Sequence, residues 1–86
     1  MNKDKRYNGW ANYETWNVAL WFGNNERLYN CARDYRRDNG KFKAGTVKDF
    51  VIDLLPDGTP DFQDMGKAAC YKKVRWGEIA DAFNEF

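Results

Sequence analysis

The sequence predicts an all-α fold, a compact single domain of four to five short helices. Three observations carry this. Apolar residues recur at i, i+3, i+4 and i+7 in separate segments: Leu28, Cys31, Ala32 and Tyr35 in one, and Trp76, Ile79, Ala80 and Phe83 in another. No stretch alternates at period two, the pattern of a half-buried strand. Turn signals divide the chain often: Asn24-Asn25, Asn39-Gly40 and Pro56-Asp57-Gly58 leave only short connections between the periodic segments.

Residues 1–8 are polar and read as a flexible N-terminus, followed by one helical domain over 9–86. Asn12 is placed to cap a first helix running to about Phe22. Glu14 lies in its first turn, where the helix dipole favours a carboxylate, and Gly23 is its stop. Tyr13, Trp16 and Leu20 share one face of this helix, while Val18, Trp21 and Phe22 occupy others. A helix apolar nearly all round belongs at the centre, contacted from several sides. Asn24 or Asn25 caps a second helix to about Asp38, and Asn39-Gly40 ends it through a positive φ.

Thr46 is the expected cap of a third helix to about Leu55. Val47, Phe50, Val51, Leu54 and Leu55 form its core stripe, and Ile52 faces outward. Thr59-Pro60-Asp61 reads as N-cap, N1 proline and N2 acid of a fourth, weaker helix to about Lys72, burying Phe62, Met65 and Ala69. Gly66 costs that helix about 1 kcal/mol relative to Ala. The last helix lies within residues 74–86.

The 86 residues suit one domain. A domain of this size buries roughly 60–65% of its unfolded surface. Four Trp, five Tyr and six Phe offset that limit, because large rings bury much area while losing few rotamers. Net charge is +1, so no global field draws the protein to nucleic acid or membrane. Charge is nonetheless uneven. Seven basic residues lie between Arg27 and Lys48 against Asp34 and Asp38, four between Lys67 and Arg75 with no acid, and five Asp between Asp49 and Asp64 with no base.

His is absent, which removes the commonest general base and the commonest metal ligand. Cys31 and Cys70 are too few for a zinc site, and no phosphate-binding glycine loop or cofactor motif appears. The expectation is therefore a non-enzymatic protein with no catalytic residues, metal or cofactor. The two Cys are expected as reduced, buried small hydrophobes rather than a pair. No long apolar run follows the polar start Met1-Asn2-Lys3-Asp4-Lys5-Arg6, so a cytoplasmic location is expected, with no membrane partner.

Residues 7–21, Tyr-Asn-Gly-Trp-Ala-Asn-Tyr-Glu-Thr-Trp-Asn-Val-Ala-Leu-Trp, mix three Trp with Asn, Glu and Thr, a combination an ordinary core helix avoids. This segment resembles the opening of a family of small proteins from bacteria, phages and mobile elements that read G-W-x-N-Y-E-T-W-N-x-x-L-W there and V-x-W-x-E-I-A near the end. The second motif is here Val74-Arg75-Trp76-Gly77-Glu78-Ile79-Ala80. The resemblance implies a helical domain in a phage-like or plasmid-like context, in the host cytoplasm if phage-encoded, and brings no catalytic residues with it. Members often carry an acidic or polar cap before the second motif's Trp. Arg75 departs from this, so it either does not cap or serves a partner.

Two candidate sites follow. Glu14, Asn17 and Trp21 lie at helical spacing, so they either form a small pocket or satisfy one another and the nearby backbone. Tyr29, Arg33, Arg36, Arg37, Lys41, Phe42 and Lys43 combine positive charge with rings, the composition of interface hot spots. Tyr29, Ile52, Tyr71 and Phe86 are further candidates for exposure. The preferred expectation is a protein partner, met by stoichiometric binding. In a phage-like context the target is a host defence complex, and the protein is an anti-CRISPR or antirestriction inhibitor. The alternative is a small nucleic-acid-binding accessory protein using the same basic cluster, extended by Lys72, Lys73 and Arg75.

Overall fold

The computed structural model describes residues 9–61 and 68–86, the side chains of 68–70 excepted. The described residues include the α-helices α1 (Tyr13–Asn24), α2 (Glu26–Asn39), α3 (Ala44–Leu54) and α4 (Trp76–Phe83). Helical backbone also begins at Pro60, and Ala68–Lys73 is a 3₁₀ segment. The all-α expectation is met. The flexible start over residues 1–8, and the burial of Phe62, Met65 and Ala69, lie outside the described residues.

The helix ends follow local chemistry. The Asn12 side chain accepts from the Thr15 N–H at the start of α1, and the Asn25 side chain accepts from the Leu28 N–H at the start of α2. Gly40 ends α2 at φ 86°, donating its N–H to the Arg36 carbonyl at 2.8 Å. Gly58 likewise takes a positive φ, at 93°, in the Pro56-Asp57-Gly58 turn.

Three boundaries differ from the sequence reading. Gly23 does not stop α1, which continues to Asn24, because the Asn25 N–H still finds the Trp21 carbonyl at 3.0 Å. Thr46 does not cap α3, which starts two residues earlier. Its hydroxyl instead sits inside the first turn, accepting from the Lys43 N–H at 2.9 Å and donating to the Lys43 carbonyl at 3.0 Å. The fourth predicted helix does not reach Lys72 as an α-helix, since the chain tightens to 3₁₀ from Ala68 onward, ahead of the turn into α4.

α1 packs on α2, α4 and the 3₁₀ segment, and α3 packs on α4. The core joins Val18 and Phe22 of α1, Leu28 and Ala32 of α2, Val47 and Val51 of α3, and Ile79, Ala80 and Phe83 of α4. Phe42, Tyr71 and Val74 close it from the connections. The central position of α1 is as expected, but its deepest residues are Thr15, Asn17, Val18 and Phe22, while Tyr13, Trp16, Leu20 and Trp21 are half-buried. Ile52 is half-buried rather than outward, and Tyr71 is buried rather than exposed.

Phe83 sits at the ring cluster's centre, with centroids 4.9 Å from Phe22, 5.5 Å from Phe42 and 5.0 Å from Phe86. Replacing it opens a cavity in a small core. Phe83→Ala should cost about 3–5 kcal/mol, a large share of what a domain this size has. Urea unfolding followed by Trp fluorescence measures it; a loss below about 1 kcal/mol would show that Phe83 does not organise the core.

Candidate functional site

The Trp-rich opening motif is built around buried polar side chains. Asn17 is fully buried on α1, so its amide must be satisfied inside the protein. Its Nδ2 donates to Asp61 Oδ2 at 2.7 Å, and its Oδ1 accepts from the Thr59 hydroxyl at 2.6 Å. Trp21, one turn further along α1, donates its indole Nε1–H to the same Asp61 oxygen at 3.0 Å. Thr59 is itself fully buried. The Pro56–Asp61 turn is thus fastened to α1 by three side-chain hydrogen bonds. Below it the Tyr71 hydroxyl donates to the Leu55 carbonyl at 2.6 Å, and burial pushes that phenol well above its ordinary pKa.

A second knot joins the opening motif to the closing one. Asn12 Oδ1 accepts from both the Thr15 N–H at 2.9 Å and the Thr15 hydroxyl at 2.7 Å. The Thr15 oxygen in turn accepts the Arg75 N–H at 2.9 Å, and Asn12 Nδ2 donates to the Lys73 carbonyl at 2.8 Å. Glu78 reaches back from the first turn of α4 to accept from the Ala11 N–H at 3.3 Å. Arg75 is therefore the N-cap residue by position but does not cap with its side chain; its backbone is held by Thr15.

Among the described residues, every buried side-chain polar atom has a partner. The opening motif thus spends Asn12, Thr15, Asn17 and Trp21 on long-range bonds. The structure brings Asn17 and Trp21 together, as their spacing suggested, but on Asp61. Glu14 is half-buried and takes no part in this hydrogen-bond set. Asn17 does not lock the first turn through nearby backbone either, since its partners lie 42 and 44 residues away. In sequence Thr59 and Asp61 carry only the signature of a helix start. The signal that could have found them was a buried Asn beside an indole, which needs an acceptor, together with an Asp-rich segment able to supply one.

The seven residues of the basic and aromatic cluster separate into two groups. Phe42 is in the core, stacked on Tyr35 at 4.6 Å, and its N–H and carbonyl are both bonded by the Asn84 side chain, at 2.7 and 3.1 Å. It packs inside rather than presenting a ring to solvent. Arg36 is half-buried, and its guanidinium donates to the carbonyls of Asn84 and Phe86, latching the segment after α4 onto α2. Tyr29 is half-buried against Phe86 at 4.8 Å, with Arg33 over its ring at 5.8 Å. Arg33, Arg37, Lys41 and Lys43 are exposed. Arg37 lies beside Asp34 at 3.4 Å and Asp38 at 3.2 Å, pairs too solvated to hold it firmly. Arg33, Asp34, Arg36 and Arg37 line an open hollow of about 320 Å³.

Cys31 is a free, half-buried thiol, and the side chain of Cys70 lies outside the described residues. The described residues contain no cluster of three or more metal-ligating side chains, and none of their helices is long and apolar enough to cross a membrane.

The fold and these knots define a small all-α domain whose two Trp-bearing motifs are parts of one hydrogen-bonded framework. Residues 3–85 match a family of unknown function, DUF7249, and the chain belongs to that family. No curated protein and no solved structure matches it.

The knot on Asp61 carries two predictions. The bonds from Asn17 and Trp21 hold the Asp61 carboxyl below its ordinary value of 3.8, with slight desolvation opposing them. A carboxyl depressed by folding contributes stability that is complete above its unfolded pKa and is lost as pH falls through the folded one. Stability should therefore drop as pH falls below 3.8, and Asp61→Asn should flatten that limb. Urea midpoints measured down the acid range test this, and an unchanged slope in the variant would remove Asp61 from the account. Asn17→Ala should cost about 1–3 kcal/mol, because it strips a buried acceptor from Thr59 and a donor from Asp61. The same unfolding measurement at neutral pH reads that loss.

Proposed function

We propose that this protein acts by stoichiometric binding to a protein partner, without catalysis of its own, in a phage or mobile-element setting within the host cytoplasm. The partner is a component of a host defence system, and the protein inhibits it in the manner of an anti-CRISPR or antirestriction factor, by covering a working surface.

One observation carries the reading. Arg33, Arg37, Lys41 and Lys43 form an exposed basic face along α2 and the connection into α3. The same elements are tied down by hydrogen bonds: Arg36 donates to two carbonyls, and the Asn84 side chain bonds both main-chain groups of Phe42. A preorganised cationic surface loses little entropy on docking and complements an acidic partner. Tyr29 and Arg33, stacked together at the edge, supply the residue types that dominate hot spots. Asn12, Thr15, Asn17 and Trp21 of the opening motif are engaged in the framework, and its carboxylate, Glu14, lies outside that set with no activated nucleophile paired to it, which favours binding over catalysis.

The test is genetic and then biochemical. Expression in cells carrying a defence system should restore phage plating in proportion to protein dose, as expected for one-to-one titration. Reversing the charge of Arg33, Arg37, Lys41 and Lys43 together should weaken the complex by about tenfold or more while leaving the fold intact. Arg36 is excluded from that variant because its loss would unfasten the segment after α4. Full inhibition by the reversed variant would reject this face, and dose-independent inhibition at trace protein would reject the stoichiometric reading.

A further inference from the structure

The connection from the 3₁₀ segment into α4 is the other exposed basic site. Lys72, Lys73 and Arg75 are all exposed within four residues. None has an ion-pair partner among the described residues. A connection of this kind ordinarily moves freely. Here its backbone is held at two points by the opening motif, the Lys73 carbonyl by Asn12 at 2.8 Å and the Arg75 N–H by Thr15 at 2.9 Å. A further bond, from the Val74 N–H to the Tyr71 carbonyl at 3.2 Å, tightens the turn between them. The main chain that carries the three cations is therefore fixed.

Two residues flanking these clamps in sequence belong to an open aromatic groove. Trp10, Trp16, Ala19, Leu20, Gly23 and Asn24 line a hollow of about 220 Å³ on α1. Trp10 lies two residues before Asn12, and Trp16 directly follows Thr15. The far end lies open, since a Cβ on Gly23 would meet nothing within 4 Å. Carboxylates on the packed elements include Glu14, half-buried on α1, and Glu78, which accepts from the Ala11 N–H.

We infer that the Lys72–Arg75 connection and the Trp10–Trp16 groove together form a binding surface for single-stranded nucleic acid. The three cations meet successive phosphates, and a base enters the groove to stack on indole. Positive charge following the backbone, beside ring faces that accept any base, is the chemistry by which single strands are bound without sequence readout. Cations that follow one another along the chain beside exposed ring faces suit this occupant, and an acidic protein is the other outcome that the test below separates. The surface is separate from the basic face of α2, so this inference and the proposed function stand or fall independently. It also assigns a task to Arg75: its backbone is structural, and its side chain is left to face the strand.

The experiment titrates the purified full chain with a fluorescent oligothymidylate by anisotropy, across a range of salt. Three phosphate contacts on a single strand predict that log K falls against log salt with a slope of about −2. The exposed variant Lys72→Gln, Lys73→Gln, Arg75→Gln, checked for unchanged circular dichroism, should bring the slope close to zero. An abasic oligonucleotide of equal length keeps the phosphates and lacks the bases, so it should bind roughly tenfold or more weakly without any change to the protein. The charge-reversed α2 variant should bind as the wild type does. Absence of saturable binding at low salt would overturn the inference, as would an unaltered slope in the triple variant. Equal affinity for the abasic strand, or for polyglutamate, would overturn it in favour of a general anion surface.

Discussion

Asn17 is wholly buried in the middle of α1, and an amide there demands a donor and an acceptor from somewhere else in the chain. Thr59 and Asp61 supply them from a turn more than forty residues on. An unsatisfied amide inside a low-dielectric core costs more than one satisfied bond returns, so the interaction acts chiefly as a specification. Packings of α1 that leave Asn17 without both partners are penalised, whatever apolar area they bury. In a domain of 86 residues, where apolar burial leaves a narrow margin, that penalty helps select one arrangement among several compact ones.

The rest of the framework extends the same logic. Asn12 caps α1 and, through its own amide nitrogen, holds the chain entering α4. Thr15 repeats the arrangement with its hydroxyl. One helix start thus fixes two distant pieces of backbone. This accounts for the odd composition of that motif. Thr15 and Asn17 are buried where they form the long-range bonds, and the rings of Trp10, Trp16 and Trp21 are half-buried.

The helices were legible because each element announces itself locally. Asn12 and Asn25 cap where Asn caps, Gly40 ends α2 with the φ that glycine tolerates, and Leu28, Ala32, Ile79, Ala80 and Phe83 fall on the buried stripes their spacing implied. Local signals failed where the deciding partner was distant or the alternatives lay within one turn. Thr46 has the chemistry of a cap and works equally well at N3 when Lys43 supplies the flanking backbone groups. The pairing of Asn17 with Asp61 could not be read, because nothing in a local window says which of five Asp will turn inward. Phe42 looked like a surface anchor, being one ring in a run of Lys and Gly. Its burial depends on Asn84, 42 residues away, which binds its backbone on both sides.

That failure sharpens the division between framework and surface. Charge and aromaticity in sequence could not distinguish Arg36 from Arg33 and Arg37, although Arg36 lies within one turn of both. Only Arg36 is oriented toward the end of α4, where two carbonyls without helical partners need donors, and it satisfies them as a guanidinium can, with two nitrogens at once. Its neighbours face solvent, with Arg37 beside two exposed carboxylates and Arg33 resting on Tyr29. The same helix therefore stabilises the fold with one arginine and presents the others, and the stabilised fold is what keeps those others in a fixed relation. The exposed basic face proposed as the binding surface therefore borders the Arg36 and Asn84 bonds rather than a large core.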